Sequence, residues 1–428
     1  MRKAVSLFLK NNYNSSTILV LLLSCCCFAC KNGHKEAKQS ITAEMILGNP
    51  NYPAISYGGY RANSREVQPT LAQLKNDLKI LHAMGIRLLR TYNLQFDHTP
   101  NLLKAIKALQ QEDPTFEMYV MLGAWIDCKD AWTASPIHNE ENLENNRSEI
   151  EKAVAFANRY PGIIKIIAVG NEAMVHWATA YFVTPDIILK WVSHLQGLKQ
   201  QGKLPKDLWI TSSDNFASWG GGDNSYHLES LTQLIKAVDY LSIHTYPFHD
   251  THYNPSFWEG EKKAPQSKEE QIELAMDRAV AYAINQFHAV RKHLDSLGIQ
   301  KPIHIGETGW ASKSNGFYGN KGSVAADEYK QALYYSKTMA WTKKENITAV
   351  YFSAFDEAWK DPNGSEASEN NFGLFTVDGK AKYALWPLVD QGVFNGLSRE
   401  ENGGPISKTY DGNKATLFSQ INPPKTKE

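Results

Sequence analysis

Short apolar runs alternate with amphipathic segments along the chain from Pro53 onward. The runs are rich in Ile, Val, Leu and Tyr and have no polar face, which is typical of strands covered on both sides in a parallel sheet. The pattern predicts eight strands, over residues 54–57, 87–92, 117–125, 163–169, 208–213, 240–246, 303–306 and 349–355.

Helix-start signals stand between these apolar runs. One kind is a Ser or Thr three residues before Glu or Gln, and the other is a Thr directly before Pro. The first kind occurs at Thr70 with Gln73, Ser148 with Glu151 and Ser267 with Glu270, and the second at Thr99-Pro100 and Thr184-Pro185. A weak final helix is expected over residues 386–393.

The alternation of strands with helices predicts one α/β domain, a (β/α)8 TIM barrel, over residues 51–397. The alternative is an open doubly wound sheet, which would carry a glycine-rich phosphate loop after its first strand. Gly58 and Gly59 follow that strand without the GxGxxG spacing, so the closed barrel is favoured. Residues 398–428 are expected to form a C-terminal tail with one strand pair.

The N-terminus has the features of an export signal. Arg2, Lys3 and Lys10 precede an apolar run over residues 18–23, which is too short to cross a bilayer. We therefore expect residues 1–30 to be a signal peptide and the polar residues 31–50 to be a tether.

Four cysteines cluster at the end of this signal. The sequence LLSC ending at Cys25 resembles the cleavage box of bacterial lipoproteins, in which the cysteine is lipidated. Cys30 is the second candidate, because the polar residues begin directly after it. The alternative is a plain secretory signal cleaved after Ala29. The lipoprotein interpretation predicts membrane attachment by a lipid anchor, at the outer membrane, the cell surface or a membrane facing the periplasm.

The composition narrows the class of molecule that this protein is expected to bind. The chain has 45 Lys and Arg against 45 Asp and Glu, so there is no cationic surplus for a phosphate backbone and nucleic acid is not expected. Eleven Trp and 20 Tyr instead suit an uncharged partner with apolar faces, such as a sugar. Cys128 alone lies outside the signal, so no intrachain disulfide framework is expected. We expect a monomer.

Two glutamates stand where the fourth and seventh predicted strands end. Glu172 closes the run Ala-Val-Gly-Asn-Glu, and Glu307 follows Gly306. Either one alone is equally consistent with a helix-cap neighbour or a solvated surface group. Because chemistry in a barrel sits at the C-terminal strand ends, a pair on roughly opposite strands indicates the acid and nucleophile of glycoside hydrolysis.

Five motifs resemble those of glycoside hydrolase family 17, the retaining β-1,3-glucanases of clan A. They cover roughly residues 53–393 and occur in the family's order. They are VGNE ending at Glu172, IHTYPF from Ile243, GETGW from Gly306, FDEAWK from Phe355 and ENNFGLF from Glu369. One departure is His244, where the family often has Asn, and this changes the hydrogen bonding expected beside Tyr246.

The resemblance implies roles for the residues of these motifs. Glu172 would be the acid/base and Glu307 the nucleophile, with carboxyl groups about 5–5.5 Å apart as in retaining enzymes. Asn171 would bind the 2-hydroxyl of the sugar being cleaved, and Tyr246 would hold the nucleophile through its phenol. The resemblance also implies an accessory charged network near the acid, for which the alternative is a structural ion-pair cluster. Its members are Glu357, Lys360 and Glu369.

Aromatic residues on the loops after the strands are candidate sugar platforms, since the C–H faces of sugars pack on aromatic planes. Trp310, in the nucleophile motif, is the strongest candidate, and Tyr57 and Tyr60 are weaker candidates for the floor of the site. The other candidates are Trp125, Trp132, Trp177, Trp219, Phe257, Trp258 and Trp359.

Three histidines near the sixth strand raise the question of a metal. His244, His249 and His252 stand close to Asp250, but their spacing matches no common zinc motif. A metal would also make the pair of glutamates redundant. We therefore expect neither a metal nor a cofactor.

The sequence thus predicts an exported retaining glycoside hydrolase that cleaves β-1,3-glucan such as laminarin in endo mode. One alternative is a β-1,3-glucanosyltransferase, in which a sugar hydroxyl rather than water intercepts the same glycosyl-enzyme. A second alternative is a non-catalytic glycan-binding surface lipoprotein. The presence of both glutamates argues against the second alternative, because a binding protein has no need of them.

Overall fold

The computed structural model describes residues 41–260, 267–361, 364, 366–400 and 403–425. The predicted signal peptide, with Cys25 and Cys30, lies outside the described residues, as does the predicted tether up to residue 40. The described residues belong to one structural unit that begins at Ile41.

The strands are β1 (Ala54–Ser56), β2 (Leu88–Arg90), β3 (Tyr119–Ala124), β4 (Cys128–Lys129), β5 (Ile137–Glu141), β6 (Ile164–Asn171), β7 (Trp209–Asn215), β8 (Leu241–His244), β9 (Ile303–Gly309) and β10 (Ala349–Phe352). All except β4 and β5 are parallel and close into a barrel in the order β1-β2-β3-β6-β7-β8-β9-β10, with β10 paired to β1. The predicted (β/α)8 barrel is confirmed, and each predicted strand is present to within three residues at its ends. The antiparallel hairpin β4–β5 was not predicted.

The helices surround this barrel. They are α1 (Ala43–Ile46), α2 (Leu71–Ala83), α3 (His98–Glu112), α4 (Leu143–Arg159), α5 (Pro185–Gln200), α6 (Glu229–Ala237), α7 (Pro247–Tyr253), α8 (Lys268–Ser296), α9 (Glu328–Lys344), α10 (Trp386–Asp390) and α11 (Lys414–Gln420). Every residue of β3 and β9 is buried, because the barrel interior covers one face of each strand and the helices cover the other.

Three of the predicted helix starts are confirmed. Thr70 and Ser267 each accept a hydrogen bond from the backbone three residues later and complete a capping box. Thr184 is the N-cap of α5, with Pro185 at the first helical position. In each case the local sequence decides where the helix begins.

Two predicted starts are wrong. The hydroxyl of Thr99 donates to the backbone oxygen of Asn93 instead of capping a helix, and α3 begins at His98, two residues before Pro100. Helix α4 begins at Leu143 because Asn142 caps it by accepting from the backbone of Asn145, which leaves Ser148 inside the helix. The Asn142 cap thus starts α4 six residues before the predicted capping box of Ser148 and Glu151.

The predicted tether is too long. Within residues 41–50 the chain forms α1, capped by Thr42, and both Ala43 and Ile46 are fully buried. They pack in an apolar cluster with Ala54 of β1 and Leu88 of β2, at the N-terminal ends of the barrel strands. This segment closes the barrel at the end opposite the loops that follow the strands.

The predicted C-terminal tail packs on the barrel. Arg399 is buried, and its Nε lies 3.2 Å from Asp77 Oδ1 on α2. Arg61 from the loop after β1 pairs with the same carboxylate at 2.8 Å. In place of the predicted strand pair, the described part of this segment makes one isolated bridge to the barrel domain and forms α11, on which Leu417 is buried. Within the described ranges, no helix is long and apolar enough to cross a membrane.

Candidate active site

A cleft of about 1040 Å³ lies across the C-terminal ends of the barrel strands. Both predicted catalytic residues, Glu172 after β6 and Glu307 on β9, line it. The cleft volume is at the upper end of the range for small-molecule sites, which leaves room for several sugar units. The fold therefore brings together two carboxylates that are 135 residues apart in sequence.

Glu307 is buried, and both of its carboxylate oxygens accept hydrogen bonds. Its Oε2 accepts from Arg90 Nη1 at 2.6 Å and from the phenol of Tyr92 at 2.7 Å, and its Oε1 accepts from the phenol of Tyr246 at 2.6 Å. Burial alone would raise the pKa of this carboxyl. The opposing effects of Arg90, His244 and the two phenols are larger together and lower the pKa to about 2. Glu307 is therefore ionised at neutral pH.

The two tyrosines stay protonated as donors. Burial and the neighbouring Glu307 charge raise the pKa of Tyr246 and of Tyr92 well above the usual value of a phenol. The predicted contact between Tyr246 and the nucleophile carboxylate is present in the structure.

A glycine places Glu307 on its strand. A Cβ atom on Gly306 would lie 2.0 Å from Ser242 Oγ and 2.4 Å from Ser213 Oγ, so a larger residue would displace β9 from the barrel interior. These two hydroxyls are 2.8 Å apart inside the barrel. The Gly-Glu order of the motif thus has a steric cause.

Glu172 has different surroundings. It follows β6 in the left-handed region, with φ of 46°, and its backbone N–H donates to Ser213 O at 3.0 Å. Its Oε1 lies 3.0 Å from Nδ1 of the fully buried His244, whose Nε2 is 2.9 Å from Ser213 Oγ. The position where the sequence departs from the family pattern therefore contacts the acid candidate. His244 is also the β8 residue whose backbone pairs with Glu307 on β9, so it neighbours both glutamates.

A buried aspartate fastens the turn that carries Glu172. Asp214 Oδ2 accepts from the backbone N–H of Met174 at 2.7 Å, and its Oδ1 accepts from Ser218 Oγ at 2.7 Å. Burial raises the pKa of Asp214 to about 6 despite these bonds. Because Met174 is two residues beyond the acid, this carboxyl holds the strained backbone in place.

Arg90 links the two sides of the site. Its Nη2 donates to Asn171 Oδ1 at 2.6 Å, while its Nη1 donates to the backbone oxygen of Gly306 and to Glu307. The Asn171 oxygen is thereby occupied, and its amide N–H₂ remains the group that can donate to a sugar hydroxyl. This arrangement fits the role that the resemblance implies for Asn171.

The predicted accessory network lies along the same cleft. Lys360 Nζ is 3.6 Å from Glu369 Oε2 and 4.1 Å from the ring centroid of Phe352. Burial raises the pKa of Glu357, Lys360 counters this, and the charge of Glu307 adds to the rise. The carboxylate that acts on Glu357 is thus the nucleophile candidate, whereas the sequence predicted a network near Glu172.

The strongest aromatic prediction is wrong. Trp310 is completely buried, its indole N–H donates to Ala325 O at 2.8 Å, and it does not line the cleft. It packs between Phe248, Trp258 and Tyr334 because β9 continues to Gly309 and turns the next residue into the core. Trp219 and Trp258 are likewise buried outside the cleft, with indole N–H groups on backbone oxygens.

Other predicted aromatics do reach the cleft. Tyr57 and Tyr60 line it, although the phenol of Tyr57 donates to Asp77 at 2.8 Å and so points away from a ligand. The remaining predicted residues that line the cleft are Trp125, Trp132, Trp177 and Trp359.

The three histidines lie in separate environments. His244 is inside the barrel, His249 Nδ1 is 3.1 Å from the phenol of Tyr318, and His252 stacks on Phe317 at 4.1 Å. Within the described part of the chain, no group of three or more His, Cys, Asp and Glu residues is placed to hold a metal ion.

Sequence reasoning missed Arg90, Tyr92 and the role of His244. Arg90 and Tyr92 both fall within the second predicted strand, over residues 87–92, and the apolar pattern alone assigns them no role in the site. An arginine in an otherwise apolar buried strand was the available signal, since a buried cation needs a paired anion. Glu307 is that anion.

The comparisons with known proteins agree with this geometry. A family model described as the BtgE/BtgC glycoside hydrolase domain matches residues 54–373. The chain belongs to this family. The glycoside hydrolase relationship that the five motifs predicted is thereby confirmed.

Solved structures and curated relatives extend the comparison. The crystal structure of an endo-laminarinase from Formosa Hel1_33_131 is 62% identical, covers 91% of this chain and 98% of its own, and superposes with a TM-score of 0.89. A glucan 1,3-beta-glucosidase of Arthroderma benhamiae is 26% identical over 277 residues, which are 62% of this chain and 70% of the relative.

A more distant structure shares the barrel. An active-site mutant of the Rhizomucor miehei beta-1,3-glucanosyltransferase in complex with laminaritriose is 23% identical, with a TM-score of 0.54, and covers 78% of this chain and 96% of its own. At this identity the likeness concerns the fold alone.

Proposed function

We propose that this protein hydrolyses β-1,3-glucan in endo mode by double displacement with retention of configuration. The observation that carries the chemistry is the environment of Glu307, a buried carboxylate whose pKa of about 2 keeps it ionised beside a second carboxyl in a wide cleft. The substrate class is supported by the 62% identity to the Formosa endo-laminarinase.

In the first step Glu172 donates its proton to the bridging oxygen while Glu307 attacks the anomeric carbon. The leaving chain departs as an alcohol and a glycosyl ester forms on Glu307. Formation of the ester uses the negative charge of Glu307. Arg90 and the phenols of Tyr92 and Tyr246 stay next to its oxygens, and they stabilise the carboxylate again when the second step releases it.

In the second step Glu172, now ionised, takes a proton from water as the water attacks the same carbon from the side the leaving group vacated. The ester bond breaks and Glu307 is restored as a carboxylate. Throughout both steps Asn171 donates its amide N–H to the sugar 2-hydroxyl, an interaction that strengthens as positive charge develops on the ring.

Product analysis on laminarin tests this function. We expect a mixture of oligosaccharides early in the reaction, products that are initially β-anomers by NMR, and no products when Glu307→Gln replaces the wild type. Release of glucose alone would refute endo action, and initial α-anomers would refute retention. Products longer than a defined oligosaccharide substrate would indicate the glucanosyltransferase alternative.

We further propose that the chain is exported and anchored by a lipid on Cys25 or Cys30, and that it acts as a monomer. The positive residues and short apolar run before the cysteines support export. Labelling with a radioactive fatty acid in a bacterial host, with Cys25→Ala and Cys30→Ala compared, tests the anchor. Light scattering of a form beginning at Ile41 tests the monomer.

A further inference from the structure

The unpredicted hairpin β4–β5 presents an exposed tryptophan at the cleft. Trp132 lies between the two strands, lines the cleft and is 63% exposed. Its backbone is nevertheless fixed, since the N–H of Trp132 donates to Ala180 O at 2.8 Å and that of Cys128 donates to Tyr181 O at 3.1 Å. The hairpin is thus fastened to the loop that follows the acid-bearing strand.

The backbone of this hairpin is strained. Trp132 has φ of 65° and Asp130 has φ of 55°, both in the left-handed region. For a bulky residue such as tryptophan this conformation is a genuine outlier that persists only when the surroundings enforce it. The surroundings therefore hold Trp132 in a strained conformation that leaves most of its side chain exposed at the cleft.

The Trp132 ring belongs to a group of three aromatic rings in the cleft. Trp132 stacks on Tyr181 with centroids 4.9 Å apart and planes inclined by 24°, and it lies 6.4 Å from Trp125 at 26°. All three residues line the cleft. Burial raises the pKa of Tyr181 and the charge of Glu172 raises it further, so this aromatic group borders the acid candidate.

We propose that Trp132 is the outer platform of a sugar subsite, which stacks on a glucose unit of the chain beyond the units at the cleaved bond. This inference rests on the proposed function and adds a preference for long β-1,3-glucan chains over short oligosaccharides. The occupant is a glucose unit because the cleft is continuous from the two glutamates to this aromatic group. A glucan chain that is bound at Glu172 and Glu307 and extends along the cleft on the acid's side meets Tyr181 and then Trp132.

The test compares kcat/KM for β-1,3-linked oligosaccharides of three and seven glucose units. In Trp132→Ala we expect the ratio of kcat/KM for the heptasaccharide to kcat/KM for the trisaccharide to fall about five- to tenfold, since one ring–sugar contact is lost only with the longer chain. Trp132→Phe keeps a ring and should restore most of the ratio. The matched control is Phe317→Ala, which removes an exposed ring of 57% exposure outside the cleft lining and should leave the ratio unchanged.

A second measurement leaves Trp132 and its hairpin unmutated. In Glu307→Gln, hydroxyl-radical oxidation of Trp132 should be slowed several-fold by the heptasaccharide and not by the trisaccharide. Equal losses on both substrates in Trp132→Ala, an unchanged ratio, or unprotected Trp132 would overturn the subsite. Absence of hydrolysis by the wild type would instead refute the proposed function, so the two failures are distinguishable.

Discussion

The two carboxylates of the cleft are held in opposite ways. Glu307 is buried on β9, where the register with both neighbouring strands shifts, and three side chains donate to it, with a guanidinium among them. Glu172 lies at a left-handed turn, is partly exposed, and has the His244 ring as its close side-chain partner. Donors that are permanently protonated fix the charge of Glu307, whereas an imidazole can either give or accept a hydrogen bond.

This difference separates the two chemical roles. A nucleophile must be ionised before the substrate arrives, and the surroundings of Glu307 ensure this by lowering its pKa to about 2. An acid/base must gain and lose a proton in each turnover, which a cage of fixed cations would prevent. The two glutamates thus take different chemical roles because the residues around them differ.

The largest expected effect is that of Glu307→Gln. Without a nucleophile the covalent step is impossible, and kcat on laminarin should fall on the order of 10⁴-fold or more. The loss should be just as large on an activated aryl β-laminaribioside, because a good leaving group does not replace the nucleophile. Activity above about 1% of wild type in a correctly folded variant, judged by circular dichroism, would contradict the assignment.

Glu172→Gln should depend on the leaving group. Loss of the general acid is expected to lower kcat on laminarin about 10²–10⁴-fold. On the activated aryl glycoside the first step needs no proton donor, so its burst of aryl alcohol should survive while steady-state turnover slows. Stopped-flow measurement of the burst checks this. A burst lost in Glu172→Gln and kept in Glu307→Gln would reverse the two roles.

Arg90→Met should move the acid limb of the pH–rate profile. Burial raises the pKa of Glu307 and Arg90 is the largest of the effects that lower it, so removing the guanidinium should raise that pKa. The acid limb of kcat/KM then shifts to higher pH, and kcat/KM near neutrality should fall about 10²-fold. Arg90→Lys, which keeps a charge, should shift the limb less. An unmoved acid limb in Arg90→Met would show that Arg90 does not set the charge of Glu307.

The same interaction predicts how stability depends on pH. The folded pKa of Glu307, about 2, lies below its ordinary value of 4.5, so ionisation stabilises the fold above pH 4.5 and this contribution is lost as pH falls toward 2. The free energy of unfolding from urea titrations should decline through this window in the wild type. Glu307→Gln should decline less steeply there, and parallel curves would contradict the shift.

The smallest expected effect is that of His244→Asn. The variant loses the contact of 3.0 Å to Glu172 and the link to Ser213, which position the acid without touching substrate. We expect kcat to fall about tenfold with KM nearly unchanged. His244→Gln, whose amide can reach toward Glu172, should recover part of the loss. An equal change in KM would indicate a role in binding instead.

The barrel could be predicted from the sequence because its signals are local. Buried strands read as apolar runs, and caps such as Thr70 and Ser267 act within one helical turn. The two catalytic candidates could also be found, because strand ends in a barrel converge at one face. These features need no knowledge of distant contacts.

The missed features all depend on distant contacts. Whether Trp310 faces a ligand or the core is decided by one or two residues of strand length, since successive side chains alternate in direction. Arg90 becomes functional only through Glu307, a residue 217 positions away. The hairpin that carries Trp132 was not predicted, because it is held by backbone hydrogen bonds to the loop after β6 that no local pattern encodes.

Covalent trapping tests the central claim most directly. A 2-deoxy-2-fluoro-laminaribiosyl fluoride should form a slowly hydrolysed ester, because fluorine destabilises the positive charge that develops in both steps while fluoride remains a good leaving group. Peptide mass spectrometry should then locate one laminaribiosyl adduct on Glu307 and none on Glu172. An adduct on another residue, or steady turnover with α-configured product and no adduct, would contradict the assignment of Glu307 as the ionised nucleophile.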